Sequence, residues 1–161
     1  MTTLIAIIGI GIFCLLAEIM NLKKIIIPVS IVSLMALFGL NITGQLPEIT
    51  GYESMIEVNK FSVAFSSLFI LLTALLILMS APSYAKSSKL SDFISIKVFM
   101  LSGAVAMVSF SNMAMFFLGI EVLSIGLYVL AGSDRLNIKS NEAGMKYFLM
   151  GSFASGIILF G

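Results

Sequence analysis

Six apolar stretches constrain this chain more than any other feature: 3–22, 25–43, 61–81, 94–111, 113–132 and 143–161, each of 18 to 21 residues. A helix needs about 20 residues to cross roughly 30 Å of hydrocarbon, so every stretch is long enough to span a bilayer. Strands of a membrane barrel would instead be runs of about 10 residues with alternating polarity. The segment Phe69-Ile70-Leu71-Leu72-Thr73-Ala74-Leu75-Leu76-Ile77-Leu78 does not alternate. The sequence therefore predicts an all-α bundle of six transmembrane helices. Composition agrees, because 11% charged residues are too few to clothe a soluble domain, which carries about 25%. A soluble enzyme is excluded.

The missing residue types exclude more. There is no His and no Trp, and the one Cys, Cys14, lies inside an apolar run. Zinc, haem and iron–sulfur sites and nucleophile–His dyads need His or several Cys. A net charge of +1 leaves no basic footprint for nucleic acid. Chemistry on this chain falls to a few Lys, Asp and Glu residues, with no cofactor or metal expected.

The first stretch is not a signal peptide, which would place basic residues before a short apolar core. Here Met1-Thr2-Thr3 carries none, and Lys23 and Lys24 follow the stretch. With the N-terminus outside, the inner connections hold Lys23, Lys24, Lys86, Lys89, Arg135 and Lys139. Lys97 and Lys146 sit about one turn inside the inner ends of their predicted spans, and only Lys60 falls on the outer side. That bias satisfies the positive-inside rule and predicts a multi-pass membrane protein with its N-terminus outside.

The outer connection 44–60, marked by Gly44, Pro47 and Gly51, is predicted as an irregular segment on the membrane surface. The inner connection 82–93 is predicted to open at Pro82, and Ser111-Asn112 to make a tight outer turn. The last span stops at Ile157-Ile158-Leu159-Phe160-Gly161 without a polar flank, which predicts the N-terminal part of a longer protein.

Four ionisable residues lie within the spans: Glu18, Lys97, Glu121 and Lys146. Glu18 is close to Lys23 and Lys24, and snorkelling with a local ion pair accounts for it. Lys97 is three residues inside its predicted span and is expected to snorkel. Glu121 is different: it lies ~12 Å from one end of its span and ~17 Å from the other, beyond the reach of its short side chain. A central ionisable group costs about 2.5–3.5 kcal/mol on insertion scales and marks a functional site by default. The alternative is a protonated Glu that hydrogen-bonds neighbouring helices. Ser124 and Tyr128 follow at i+3 and i+7 on the same face, a stripe suited to a file of waters. Between a dry surround and a movable cation, such a carboxyl can be loaded and unloaded with a proton.

Lys146 is the nearest cation in sequence. Glu142, four residues earlier, offers it an ordinary helix ion pair; a place in a proton relay with Glu121 is the other reading. Gly151-Ser152 and Ser155-Gly156 supply small-residue spacings that let the sixth helix approach a neighbour closely.

The stretch Phe117-Leu118-Gly119-Ile120-Glu121-Val122-Leu123-Ser124-Ile125-Gly126-Leu127-Tyr128-Val129-Leu130 resembles the fifth helix of the antiporter-like membrane subunits of respiratory complex I. The stretch from Asn141 to Gly156 is similar to the next helix, and its Glu142-Ala143-x-x-Lys146-Tyr147-Phe148 wording points to one branch of that family. The resemblance covers residues 92–161 well and the first 90 only in hydropathy and topology. It implies about fourteen helices and two inverted repeats with functional groups near mid-membrane. On that scheme residues 1–92 hold three preceding helices and 93–161 the first three helices of the first repeat.

The resemblance also implies roles. Glu121 would be a key proton-pathway residue and Lys146 would also take part, beside the candidate hydration path that spacing alone assigns to Ser124 and Tyr128. The chain would be a proton-translocating, non-redox subunit. NADH, FMN, iron–sulfur clusters and quinone would belong to other subunits of the membrane-bound complex. Its partners would be other membrane-arm subunits, lipid and protons, without direct NADH binding, in keeping with the lack of a Rossmann-type glycine loop. The family commonly has an Asp at the start of the third helix, where this chain reads Asn59-Lys60, so no role is carried over there. The Lys residues of the family's later helices would lie beyond Gly161. Alternatives are a subunit of a multisubunit cation/proton antiporter or membrane-bound hydrogenase, and a membrane scaffold in which Glu121 only fixes packing.

Overall fold

The computed structural model describes residues 2–19, 23–44, 54–84 and 90–161. Six helices follow one another: α1 (Thr2–Ile19), α2 (Lys23–Thr43), α3 (Lys60–Tyr84), α4 (Leu90–Val108), α5 (Met113–Ala131) and α6 (Ile138–Phe160). They alternate in direction. Thr2, Gly44, Ser62 and Ser109 gather at one end, here the N-terminal face. Asp92, Gly132 and Asn141 gather at the other, here the basic face. Five helices, α2 to α6, are long and apolar enough to cross a membrane. The apolar part of α1 among the described residues, Thr2–Ala17, is shorter than a full span.

Local chemistry sets the ends. Asn112 and Asn137 are N-caps whose side chains accept from the amides of Ala114 and Lys139, each at 3.0 Å, satisfying donors that a first helical turn leaves unpaired. Gly44 closes α2 with φ of 65°, a left-handed conformation that favours glycine.

Several boundaries differ from the sequence reading. The α3 helix continues through Pro82 to Tyr84, so the connection does not open at that proline. Residues 85–89, with Lys86 and Lys89, lie outside the described residues. The α4 helix covers 90–108 rather than 94–111, because the polar Ser91 and Asp92 extend the first turn beyond the apolar run. The α6 helix likewise starts at Ile138, five residues before the apolar stretch, at the Asn137 cap. The described part of the outer connection, 54–59, is irregular apart from one bridge residue and is tied to the turn between α4 and α5. The Glu57 amide donates to the Ser109 carbonyl and the Ser111 amide to the Met55 carbonyl, both at 2.9 Å. These bonds make an isolated antiparallel bridge between Ile56 and Phe110, clamping residues 54–59 over the α4–α5 turn. Pro47 and Gly51 are outside the described residues.

The core lies among α1 to α4, around Ile7, Cys14, Leu34, Ile70, Ile77 and Val98. In lipid there is no hydrophobic drive between helices, so small residues that allow close van der Waals packing carry the association. The buried seam of α4 reads Ser91, Ser95, Val98, Ser102, Val105, Ser109, alternating steps of four and three residues. The hydroxyls of Ser95, Ser102 and Ser109 donate to carbonyls of α4 itself, while the buried Ser91 Oγ has no hydrogen-bond partner among the described residues. The α5 helix crosses α4 where Gly103 meets Gly119: a Cβ on Gly103 would lie 2.8 Å from the Gly119 carbonyl oxygen. The α6 helix packs on α5 alone and, among the described residues, buries none of its own. The boundary expected at 92/93 falls inside the first turn of α4.

Candidate functional site

Glu121 sits eight residues into α5, on the side of the helix away from α4. Gly119, which faces α4, is two residues away and so about 200° round the helix. Glu121 is half-buried, and its Oε1 is buried with no hydrogen-bond partner. Leaving a buried acceptor unsatisfied costs about 1–3 kcal/mol, and no group among the described residues meets this one.

Ser124 and Tyr128 share the Glu121 side, as their spacing predicts. With Tyr147 and Gly151 of α6 they line a cavity of about 300 Å³. The Tyr128 ring is wedged edge-on between two α6 rings, at 5.4 Å from Tyr147 and 5.9 Å from Phe148. Its hydroxyl rests over Gly151, where an added Cβ would overlap it. The small-residue spacing of α6 therefore matters at Gly151, which seats a phenol. At Gly156 a Cβ would meet nothing within 4 Å.

Lys146 does not meet Glu121. Gly144, Phe148 and Gly151 face α5, and Lys146, two residues from Gly144, projects from the far side of α6. Its Nζ pairs with Glu142 Oε1 at 2.6 Å, with the two side chains 70% and 58% exposed. The i, i+4 pair foreseen from sequence is formed. The side chains of Glu18, Lys23 and Lys24 lie outside the described residues.

Lys97 is placed more deeply than the sequence indicated. With α4 beginning at Leu90, it lies seven residues, or two turns, into the helix. Its Nζ donates to Ser80 Oγ of α3 at 2.6 Å, beside an apolar groove of about 650 Å³ between α3, α4 and α5. The signal available was Ser91-Asp92, a polar first turn rather than a loop. Asp92 itself was not singled out by sequence, yet it lines a large cavity at the basic face. Among the described residues no group of three or more His, Cys, Asp or Glu could hold a metal ion.

A bundle of membrane-crossing helices with an unpartnered carboxyl at mid-helix defines an all-α, multi-pass membrane protein with an ionisable group inside the span. The family described as NADH:quinone oxidoreductase/Mrp antiporter, TM, matches residues 109–161. NADH-quinone oxidoreductase subunit N of Flavobacterium johnsoniae is 65% identical over 100% of this chain and 35% of its own length. The same subunit of Flavobacterium psychrophilum is 62% identical over 100% of the chain and 36% of its own length. That of Cytophaga hutchinsonii is 39% identical over 100% and 35%. The chain belongs to the NADH-quinone oxidoreductase subunit N family, the branch to which the Glu142–Phe148 wording pointed. It is a multi-pass protein of the bacterial inner membrane. It spans about a third of the length of these relatives.

Proposed function

We propose that this chain takes part in proton translocation as a non-redox, membrane-arm component of NADH-quinone oxidoreductase. The observation that carries the reading is Glu121: a carboxyl at mid-helix, orphaned at Oε1, on a face shared with the hydroxyls of Ser124 and Tyr128. In this scheme redox energy released in other subunits, which hold NADH, FMN, iron–sulfur clusters and quinone, changes the hydration and ion pairing around Glu121. The basic face is cytoplasmic and the N-terminus outside. Glu121 exchanges protons with the cytoplasmic side along Ser124 and Tyr128. Lys146, which pairs with Glu142 on the side of α6 away from α5, tunes or relays those protons. The first three helices brace the three that follow, α4 to α6.

A second reading, a subunit of a multisubunit cation/proton antiporter, draws on the family description, which covers both. It keeps the same role for Glu121 and differs in the driving reaction. The test is Glu121→Gln in the assembled complex, which keeps the size and removes the exchangeable charge. NADH-driven pumping is expected to fall by about a hundredfold, within the range for losing a positioned proton-transfer group, with assembly unchanged. Normal pumping by a normally assembled variant would remove Glu121 from the mechanism.

A further inference from the structure

The apolar groove between α3, α4 and α5 lies on the side of α5 opposite the Glu121 stripe, where Leu123 and Leu127 form its wall. Of the residues that line its 650 Å³, only Lys97 is ionisable. The other polar groups in the wall are Thr73 and Ser80. Their hydroxyls donate to the carbonyls of Phe69 and Leu76 in their own helix, at 2.8 and 2.7 Å. The Ser80 oxygen also accepts from the Lys97 ammonium at 2.6 Å, which holds the charge at one end of the groove. That end is the one nearer the basic face, because Ser80 is the last α3 residue and Lys97 the first α4 residue along the wall.

Depth and lining decide what the groove fits. On the basic side the apolar run of α3 ends at 81 and that of α4 begins at 94. Phe69 and Met107, the lining residues of those helices furthest from the basic face, lie ~18–20 Å deeper at about 1.5 Å per residue. That is little more than half of a hydrocarbon layer of ~30 Å. A transmembrane helix laid here would need a groove along the whole span, whereas an acyl chain entering from one leaflet needs only this depth. Apolar walls of this kind stay dry, and Met79, Met100 and Met107 among them adapt to an irregular apolar guest. Among the described residues α3 and α5 do not approach each other directly, so a chain in the groove would fill the gap between them.

Charge selects the headgroup. Lys97 lies about one turn inside the apolar run, within snorkelling reach of the headgroup level. A cation at the mouth of a groove between helices complements an anionic lipid. A zwitterionic lipid could enter the same groove with no net charge to hold it there. We propose that this groove binds an anionic phospholipid of the leaflet at the basic face, with its phosphate on Lys97 and one acyl chain along α3 and α4.

The test uses the full-length subunit in its assembled complex, placed in phosphatidylcholine vesicles after detergent exchange of its native lipid. Phosphatidylglycerol with a photoreactive group in mid-chain is compared with phosphatidylcholine carrying the same chain, and labelled residues are mapped by mass spectrometry. Phosphatidylglycerol is expected to label the groove around Met79 and Met100 about fivefold more strongly, which corresponds to about 1 kcal/mol of attraction to one lysine. Lys97→Gln should erase that preference and Lys97→Arg should keep it. Equal labelling of the parent complex by the two lipids would overturn the charged site, and that comparison requires no variant to assemble. A preference that survives in Lys97→Gln would overturn Lys97 as the headgroup's partner. A groove labelled by neither lipid would overturn lipid occupancy altogether.

Discussion

The α4–α5 crossing decides where Glu121 is held, and Gly119→Ala tests it. A Cβ at Gly119 would lie 2.8 Å from the Met107 amide nitrogen, 2.9 Å from the Gly103 carbonyl oxygen and 3.1 Å from Met107 Cα. All three are backbone atoms, so no side-chain rotation relieves the overlap. Restoring contacts of about 3.5 Å requires the helices to part by roughly half an ångström or more. Overpacking of this kind costs about 1–3 kcal/mol, and alanine returns up to ~1 kcal/mol of helix propensity. Since backbone cannot yield cheaply, the net is expected near 1–2 kcal/mol, or about 5–30-fold in the docking equilibrium of α5 on α4. Gly156→Ala is the matched control, because a Cβ there meets nothing within 4 Å. The assay is the thermal midpoint of the full-length subunit in its purified complex, read beside NADH-driven pumping. Gly119→Ala should lower both, while Gly156→Ala should lower neither. A Gly119→Ala protein as stable as the parent would refute the close crossing.

Two further outcomes follow from smaller features. Removing the exposed Lys146–Glu142 pair by Glu142→Gln should change the thermal midpoint little, since such i, i+4 pairs contribute about 0.2–0.5 kcal/mol; a large pumping defect in that variant would then mark Lys146 as part of the proton route, and unaltered pumping would count against it. Asn112→Ala removes the N-cap of α5 and should cost about 1 kcal/mol, seen as a lowered midpoint; an unchanged midpoint would mean that the cap adds nothing at that turn.

The helical plan was legible because hydrocarbon thickness fixes span length, and no tertiary contact competes with that constraint. The helix ends were less so. Ser91-Asp92 and Ile138–Asn141 read as connection by hydropathy, yet their backbones continue the helical ladder, since a polar residue in a first turn beyond the apolar run loses nothing by being helical. That error of one turn moved Lys97 from one turn inside its helix to two. At the site, the stripe Glu121, Ser124, Tyr128 followed from helical geometry alone. The direction of Lys146 did not, because it depends on which face of α6 meets α5. That face is set by Gly144 and Gly151, whose partners Gly132 and Tyr128 lie in another helix and leave no trace in local pattern.

The buried polar groups differ in how they are satisfied, and on the proposed function the difference bears on where protons travel. Along α2 and α4 the hydroxyls of Ser30, Ser95, Ser102 and Ser109 each return to a carbonyl three or four residues back in the same helix. A hydroxyl so engaged completes its own turn and offers its proton to no neighbour, so these serines narrow the helix contacts without forming a file. On α5 the stripe is unlike them. Glu121 has a buried oxygen without a partner, a condition that Ser91 Oγ on α4 shares, but only Glu121 is ionisable, and Tyr128 beside it on the stripe borders open volume on both flanks. The helices α1 to α4 hold the core, against which α5 is fixed by glycine contacts, while the Glu121, Ser124 and Tyr128 side of α5 looks towards α6. On the proposed function, a carboxyl that changes partners is better placed there than in the core, where moving it would require repacking four helices at once.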